Sequence, residues 1–264
     1  MTEAQSNSGL SRSARRAARQ LAWALGIKSL PKLDLRLAQM ERIFRAPPLT
    51  PDLIAAIKLI SPQFDLSASE PHRMVWEADQ NGSCWGEYEA LEPYLLRIPT
   101  DAKILEIGPG MGRSLVFFSK KLGWRGDHLY AYEGNGRSTK YTSLGPRFED
   151  SFCGNIAMLS HVLRYNGVSN VTVYDASNMR LTELPGQPYN FIYSFYSIGF
   201  HWSLEHFLDD LLPLLDDGGT AIFTTSADFE PFESLRKLPY QLVDWEPAWP
   251  RGVTLKFIVI ERGR

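Results

Sequence analysis

Three glycines, Gly108, Gly110 and Gly112, follow a short apolar run that contains Glu106 and ends at Ile107. Glycine tolerates backbone conformations that other residues avoid, so this spacing allows a sharp turn and a close approach of backbone to a ligand. With a predicted strand before it and a predicted helix after it, the turn is typical of a site for a nucleotide-like ligand. The glycines fall at every second position and not in the G-x-G-x-x-G order of a pyrophosphate site. A tight turn without a ligand is the structural alternative.

Carboxylates stand where the predicted strands of this region end. Glu106 lies two residues before the first glycine, where its charge would repel a pyrophosphate and attract an ammonium group, so the sequence favours a cationic ligand. Glu133 ends the next strand, and an acid about 20 or more positions after a glycine turn is typical of a contact to two ribose hydroxyls. Asp175 ends the third strand, where it either meets a ring amine or caps the following turn.

This ordered set of residues resembles the class I S-adenosylmethionine-dependent methyltransferases. The resemblance covers about residues 102–262 and includes the strand 191–195 and an expected antiparallel pair of strands at the end of the chain. It implies S-adenosylmethionine as the cofactor, with methionine and ribose at the glycine turn, ribose at Glu133, and adenine beside Asp175 and Ala176. Ser194, on the fourth strand, is also assigned to the cofactor. The predicted cofactor-binding residues are Glu106, Gly108, Gly110, Gly112, Glu133, Asp175, Ala176 and Ser194.

From residue 102 onward, short β-branched or aliphatic runs alternate with helix-like segments, and this alternation predicts a parallel sheet. The predicted strands are 103–107, 128–132, 171–174, 191–195, 220–224, 240–245 and 255–260, and the predicted helices are 112–122, 151–165 and 204–215. Gly218 and Gly219 are expected to form the turn after the last helix. The connection between the last two strands is too short for a crossover helix, so we expect them to be antiparallel. The predicted fold class is α/β: a Rossmann-like, doubly wound, seven-stranded, mostly parallel sheet with an antiparallel C-terminal strand and a helical N-terminal extension.

The segment after the fourth predicted strand carries the catalytic candidate, because ligands of open α/β sheets bind beyond the carboxyl ends of the strands. Because the unperturbed pKa of a histidine side chain lies near neutrality, His201 is the predicted general base toward a hydroxyl acceptor, with a structural role as the alternative. Trp85, Tyr196 and Trp202 are the predicted substrate-binding aromatics, with core packing as the alternative. The segment departs from the Asn/Asp-Pro-Pro-Tyr/Phe motif that is typical of amino-group methyltransferases, and no metal site is predicted.

Composition and charge restrict the class of partner. Residues 1–50 hold nine Lys and Arg against three Asp and Glu, whereas the remainder holds 19 against 27. An acidic main body disfavours nonspecific nucleic-acid binding. Apolar runs are too short for a transmembrane helix or a convincing secretory signal, and Cys84 and Cys153 form no disulfide framework, so we predict a cytoplasmic protein. The basic segment 12–27 leaves docking on a membrane surface as a weaker alternative.

The sequence predicts three regions: a disordered leader at 1–11, a helical cap or lid at 12–100, and an S-adenosylmethionine-binding domain at 101–264. The predicted function is methyl transfer to a small-molecule acceptor, through an O-methyltransferase that acts on a sugar or another hydroxylated metabolite. An NAD-dependent oxidoreductase is one alternative, which the glycine spacing and Glu106 oppose. A non-catalytic cofactor-binding or scaffold protein is another, which the intact acidic and glycine positions oppose. Methylation of nucleic acid through the basic leader is a third, which the acidic body opposes.

Overall fold

A seven-stranded sheet forms the centre of the computed structural model. The residues that the structure describes are 50–52, 55, 83–134, 156–195, 197–199, 202–245 and 254–263. The strands are β1 Ile104–Ile107, β2 Leu129–Glu133, β3 Thr172–Asp175, β4 Tyr189–Ser194, β5 Leu215–Ser226, β6 Tyr240–Trp245 and β7 Leu255–Glu261.

The strands lie in the order β3-β2-β1-β4-β5-β7-β6. The first five pair in parallel, and β7 runs antiparallel to both of its neighbours, β5 and β6. The predicted α/β class, the mostly parallel sheet and the antiparallel terminal pair are therefore confirmed. Because the carboxyl ends of β1 to β3 meet at one edge, the acids and glycines that follow these strands come together there.

Helices connect and cover the strands. They are α1 Ser83–Leu95, α2 Arg113–Leu122, α3 Ile156–Tyr165, and the short α4 Leu208–Leu211 and α5 Glu233–Arg236; single 3₁₀ turns span Gly126–His128, Leu181–Glu183, Leu204–His206 and Leu212–Leu214. The predicted helix at 112–122 is confirmed as α2, which Gly112 and Gly123 bound in left-handed conformations. Of the predicted helix at 151–165, residues 156–165 are helical, and residues 151–155 lie outside the described residues.

The predicted helix at 204–215 is confirmed only in part, because the segment is helical but is not one continuous α-helix. This segment contains two 3₁₀ turns around α4, and its last residue, Leu215, already begins β5. Pro213 has no N–H to donate to the preceding turn, so α4 cannot continue through it. Gly218 and Gly219 lie within β5 and not in a turn after a helix, because Gly218 N donates to Arg262 O (3.0 Å) and Arg262 N donates to Gly219 O (2.9 Å).

Both faces of the sheet are buried. Leu105, Ile192 and Phe223 belong to a hydrophobic cluster on one face. The alternate residues on the other face pack on α2, where the ring of Phe118 lies 5.9 Å from that of Tyr193. Glu106 is on this second face, so its carboxylate points into a hydrophobic layer and requires internal donors.

Helix α1 falls within the predicted cap at 12–100, and it packs on the sheet domain. Leu91 and Leu95 are fully buried, and the ring of Tyr88 lies 6.2 Å from that of Phe117 in α2. Most of the predicted leader and cap lies outside the described residues, so the boundaries 1–11, 12–100 and 101–264 stay predictions. Among the described helices, none combines the length and the apolar character that crossing a bilayer requires.

Candidate functional site

The glycine turn joins the carboxyl end of β1 to the start of α2. Gly108, Gly110 and Gly112 have φ values of 66°, 58° and 76°, a left-handed region that residues with a Cβ rarely adopt. Gly108 N donates to Tyr132 O (2.9 Å), which ties the turn to the end of β2. The sharp turn that the glycine spacing predicts is therefore present at this edge.

Two of these glycines also meet other segments at close range. A Cβ at position 108 would lie 2.2 Å from Ser197 Oγ, and a Cβ at position 112 would lie 2.7 Å from Leu159 Cδ1. The turn thus packs against the segment after β4 on one side and against α3 on the other. Position 108 has no room for a side chain, because Ser197 Cβ would also lie 2.3 Å from the added Cβ, and at position 112 the leucine side chains of α3 would have to shift.

Glu133 lies at the end of β2, beside the turn, with a side chain that is 7% exposed. Its Oε2 accepts a hydrogen bond from Gly110 N (2.6 Å), and its Oε1 accepts one from Gly134 N (2.8 Å). Burial raises the pKa of Glu133 to about 7, and the two backbone donors oppose that rise. Because each carboxylate oxygen has a second lone pair, Glu133 can also accept hydrogen bonds from two hydroxyls of a ligand.

Asp175 ends β3 and is the register partner of Glu133. Its Oδ1 accepts from Ser177 N (2.8 Å) and its Oδ2 accepts from Asn178 Nδ2 (2.9 Å), so the turn-capping alternative describes its present contacts. Ala176 N donates to Glu133 O (2.9 Å). The structure therefore brings Asp175 and Ala176, the predicted adenine-binding residues, next to Glu133, the predicted ribose-binding acid. The contact with adenine itself stays a prediction.

Glu106 faces the interior and is 1% exposed. Ser114 Oγ donates to its Oε1, and Tyr193 Oη donates to its Oε2 (2.8 Å). These bonds link β1 to the first turn of α2 and to the neighbouring strand β4. Burial raises the pKa of Glu106 to about 8, against the lowering effect of the two hydroxyls and of Arg113. Its predicted role toward an ammonium group stays a prediction, and its observed contacts are internal.

The raised pKa of Glu106 predicts a stability that falls as pH increases. The unfolded chain ionises this group near pH 4.5, whereas the folded chain keeps its proton until about pH 8. Between these values the folded state binds more protons, so its free energy of unfolding decreases by about 1.4 kcal/mol per pH unit from this group. Denaturant unfolding at pH 5, 6, 7 and 8 should show a steeper decrease for the wild type than for Glu106→Gln. Equal slopes would contradict the burial of an ionisable group here.

Ser194 is fully buried at the end of β4. Its Oγ donates to Ile107 O (2.8 Å) and accepts from Ile198 N (2.9 Å). The hydroxyl therefore fastens β4 to β1 and holds the start of the following loop. Its predicted contact with the cofactor stays a prediction.

The catalytic and acceptor candidates are only partly within the described residues. His201 and Tyr196 lie outside them, and of Trp85 only its place in the first turn of α1 is described. Trp202 is half-buried against the hydrophobic cluster, and Gly199 N donates to Trp202 O (2.7 Å). The core-packing alternative thus accounts for the contacts of Trp202, and its role toward an acceptor stays a prediction.

Glu87 and Arg113 form an ion pair next to the glycine turn that the sequence reasoning missed. Glu87 in α1 is fully buried, and Arg113, the first residue of α2, is 18% exposed; Arg113 Nη2 lies 3.3 Å from Glu87 Oε1. The signal in the sequence is weak, because only the packing of α1 on α2 brings an acid before β1 next to an arginine after the glycine turn. Among the described residues, no group of three His, Cys, Asp or Glu could hold a metal ion.

Two features of the structure decide the fold: the strand order, with antiparallel β7 inserted before β6, and the glycine turn joined to the acid of β2. The chain has the class I methyltransferase fold. The predicted resemblance to the class I methyltransferases is therefore confirmed for the fold. No protein-family model matches the sequence, and no curated protein matches it significantly.

Solved structures with a similar fold have low sequence identity to this methyltransferase-fold chain. Geranyl diphosphate C-methyltransferase from Streptomyces coelicolor, in complex with Mg²⁺, geranyl diphosphate and S-adenosyl-L-homocysteine, is 12% identical, with 82% of this chain and 100% of that chain covered and a TM-score of 0.48. Precorrin-6y C5,15-methyltransferase from Geobacter metallireducens is 15% identical (67% and 88% covered, TM-score 0.41). TrmN from Thermus thermophilus is 17% identical (66% and 47% covered, TM-score 0.43).

Proposed function

We propose that this chain is an S-adenosylmethionine-dependent methyltransferase that acts in the cytoplasm on a small-molecule acceptor. The observation that carries the proposal is the bond from Gly110 N to Glu133 Oε2 (2.6 Å), because it fixes a buried acid at the glycine turn. A nucleoside needs both parts: backbone that it can approach closely and an acceptor for its hydroxyls. Asp175 and Ala176 follow on the neighbouring strand, on the side where a base would lie.

The residues around the turn fit a cationic nucleoside better than a dinucleotide. Glu133 is buried beside the turn, and its carboxylate, once ionised, opposes the two negative charges of a pyrophosphate. The glycine spacing also differs from the pyrophosphate fingerprint. A sulfonium and an ammonium group would instead be attracted. This charge argument favours S-adenosylmethionine over NAD.

Methyl transfer is a displacement at carbon, for which bound S-adenosylmethionine supplies both the methyl group and a good leaving group. The chain must hold the acceptor in line and, for a hydroxyl acceptor, remove its proton. In this proposal, the imidazole of His201 accepts the proton of the hydroxyl, and Trp85, Tyr196 and Trp202 line the pocket for the acceptor. The acceptor class that suits a histidine base is a sugar or another hydroxylated metabolite, methylated at oxygen.

His201→Ala is expected to slow methyl transfer roughly 10²-fold while it leaves the affinity for S-adenosylhomocysteine unchanged, because it removes a base and not a cofactor contact. The measurement is transfer of radiolabelled methyl to a hydroxylated acceptor found by screening. The matched control is His206→Ala, an exposed histidine in the adjacent 3₁₀ turn. Near-normal turnover in His201→Ala would assign that histidine a structural role.

Calorimetric titration with S-adenosylmethionine, S-adenosylhomocysteine and NAD tests the proposed function directly. We expect binding of the first two ligands and no binding of NAD. Binding of NAD alone would favour the oxidoreductase, and binding of neither class would overturn the proposal. Cofactor binding with no methyl transfer to a broad panel of hydroxylated, amino and carbon acceptors would favour the non-catalytic alternative.

A further inference from the structure

Strand β6 forms one edge of the sheet, and among the described residues no strand pairs with its outer side. All six of its residues, Tyr240–Trp245, pair with β7 without a break in register. A long, regular edge strand is a template for the addition of another strand, and proteins usually protect such an edge with lysine, proline or a bulge. Strand β6 contains none of these, whereas β3 at the other edge is only four residues long.

The side chains of β6 make this edge partly apolar. Tyr240, Leu242 and Asp244 lie on one face of the strand, and Leu242 is 39% exposed. Leu96 and Tyr165 are the other exposed large apolar side chains in the described part of the chain, and neither lies in a strand. Leu242 therefore combines an exposed apolar side chain with an open backbone edge. This combination fits a strand that brings its own apolar side chain opposite Leu242.

A second copy of β6 is such a strand. The edge strands of two copies related by a two-fold axis pair antiparallel, and directly opposite residues then lie on the same face. Near the middle of β6, this condition allows a register centred on Leu242 or on Val243. The first places the two leucines opposite each other and each Asp244 opposite Tyr240 of the other copy. The second places each Asp244 carboxylate against Leu242, which costs desolvation without a partner. The register centred on Leu242 is therefore favoured.

We infer that β6 is a homodimer interface, in which the β6 strands of two copies pair antiparallel about Leu242 and join two sheets into one. The backbone ladder supplies affinity, while the leucine pair and the separation of the two Asp244 side chains specify the register. The interface needs no cofactor, so this inference goes beyond the proposed function and stands or fails separately from it.

Sedimentation velocity of the full chain from about 1 to 100 μM tests the interface. The wild type should approach twice the mass of one chain. Leu242→Lys should raise the dimer dissociation constant by about tenfold or more, because two ammonium groups would face each other across the strand pair. Leu96→Lys is the matched control, since it makes the same substitution at a more exposed leucine outside the sheet, and it should leave the dimer intact. Circular dichroism checks that both variants are folded.

Disulfide crosslinking tests the register without the lysine variants. Directly opposite residues of antiparallel strands have Cα atoms about 4.5 to 5.5 Å apart, a separation that a disulfide can span. Under oxidation, Leu242→Cys should therefore link two copies, and mass spectrometry of the linked peptides distinguishes this bond from bonds of Cys84 or Cys153. Asp244→Cys should not link them, because the two residues 244 lie four positions, or about 13 Å, out of register.

Four results would overturn the inference. One is a wild type that remains monomeric across the concentration series, and another is a dimer that folded Leu242→Lys leaves intact. Equal dissociation in Leu242→Lys and Leu96→Lys would assign the effect to added charge and not to β6. Crosslinking through Asp244→Cys and not through Leu242→Cys would exclude the contact between the two leucines. In each case, cofactor binding and methyl transfer would still be tested by their own measurements.

Discussion

Glu133→Gln is expected to weaken binding of S-adenosylhomocysteine about 10- to 100-fold, because hydrogen bonds that a charged group accepts contribute roughly 1.5 to 3 kcal/mol. The substitution removes the charge that two ribose hydroxyls would meet. It also replaces one acceptor by an amide donor, and that donor faces the backbone N–H of either Gly110 or Gly134. The measurement is isothermal calorimetry at pH 8, where the wild-type carboxylate, with a pKa of about 7, is mostly ionised.

The control for this variant lies at the other end of the same strand. Asp127 precedes β2, is 45% exposed and pairs with Arg125, so Asp127→Asn also removes one negative charge but lies away from the turn. We expect this control to bind S-adenosylhomocysteine like the wild type. Unchanged affinity in Glu133→Gln would contradict the ribose assignment. Equal losses in both variants would show that net charge, and not the contact, determines affinity.

The strands of the sheet could be predicted because each one has a local pattern. The run Ile104–Ile107 is fully buried in a parallel sheet and has the pattern of a short apolar strand, and the acids at 133 and 175 mark where β2 and β3 end. The segment 204–215 could not be predicted in the same way. Its leucines suit a helix, but Pro213 interrupts the helix, and the pairing of Gly218 and Gly219 with Arg262 depends on a residue more than forty positions away.

The same distinction applies to the residues around the candidate site: a local sequence pattern marks some of them, and only tertiary packing explains the others. Glu133 and the three glycines were predictable because their spacing reflects one turn between two neighbouring strands. The internal orientation of Glu106 was not, because it depends on a serine in α2 and a tyrosine in β4. The ion pair of Glu87 with Arg113 has no local signal in the sequence, because only the packing of α1 on α2 brings these two residues together. Tertiary packing, and not local pattern, determines which acids are available to a ligand.

Gly108→Ala is expected to lower the free energy of unfolding by about 3 kcal/mol, the sum of backbone strain and steric overlap. The residue has a φ of 66°, and an added Cβ would lie 2.2 Å from Ser197 Oγ and 2.3 Å from Ser197 Cβ. Gly167→Ala separates the two causes, because Gly167 has a φ of 75° but an added Cβ there would meet no atom of the described residues within 4 Å. That control should lose only about 1 kcal/mol.

The double variant Gly108→Ala with Ser197→Gly provides the decisive comparison. Without the serine side chain, the closest remaining atom of residue 197 is its Cα, 3.8 Å from the added methyl group, so steric overlap disappears and strain remains. In denaturant unfolding, the double variant should therefore lose about as much free energy of unfolding as Gly167→Ala. It should lose clearly less than Gly108→Ala. If Gly108→Ala alone were no less stable than Gly167→Ala, the close approach between the glycine turn and the segment after β4 would be refuted. That approach brings the turn that we assign to the cofactor next to the segment that leads to His201, so the result bears on both halves of the proposed site.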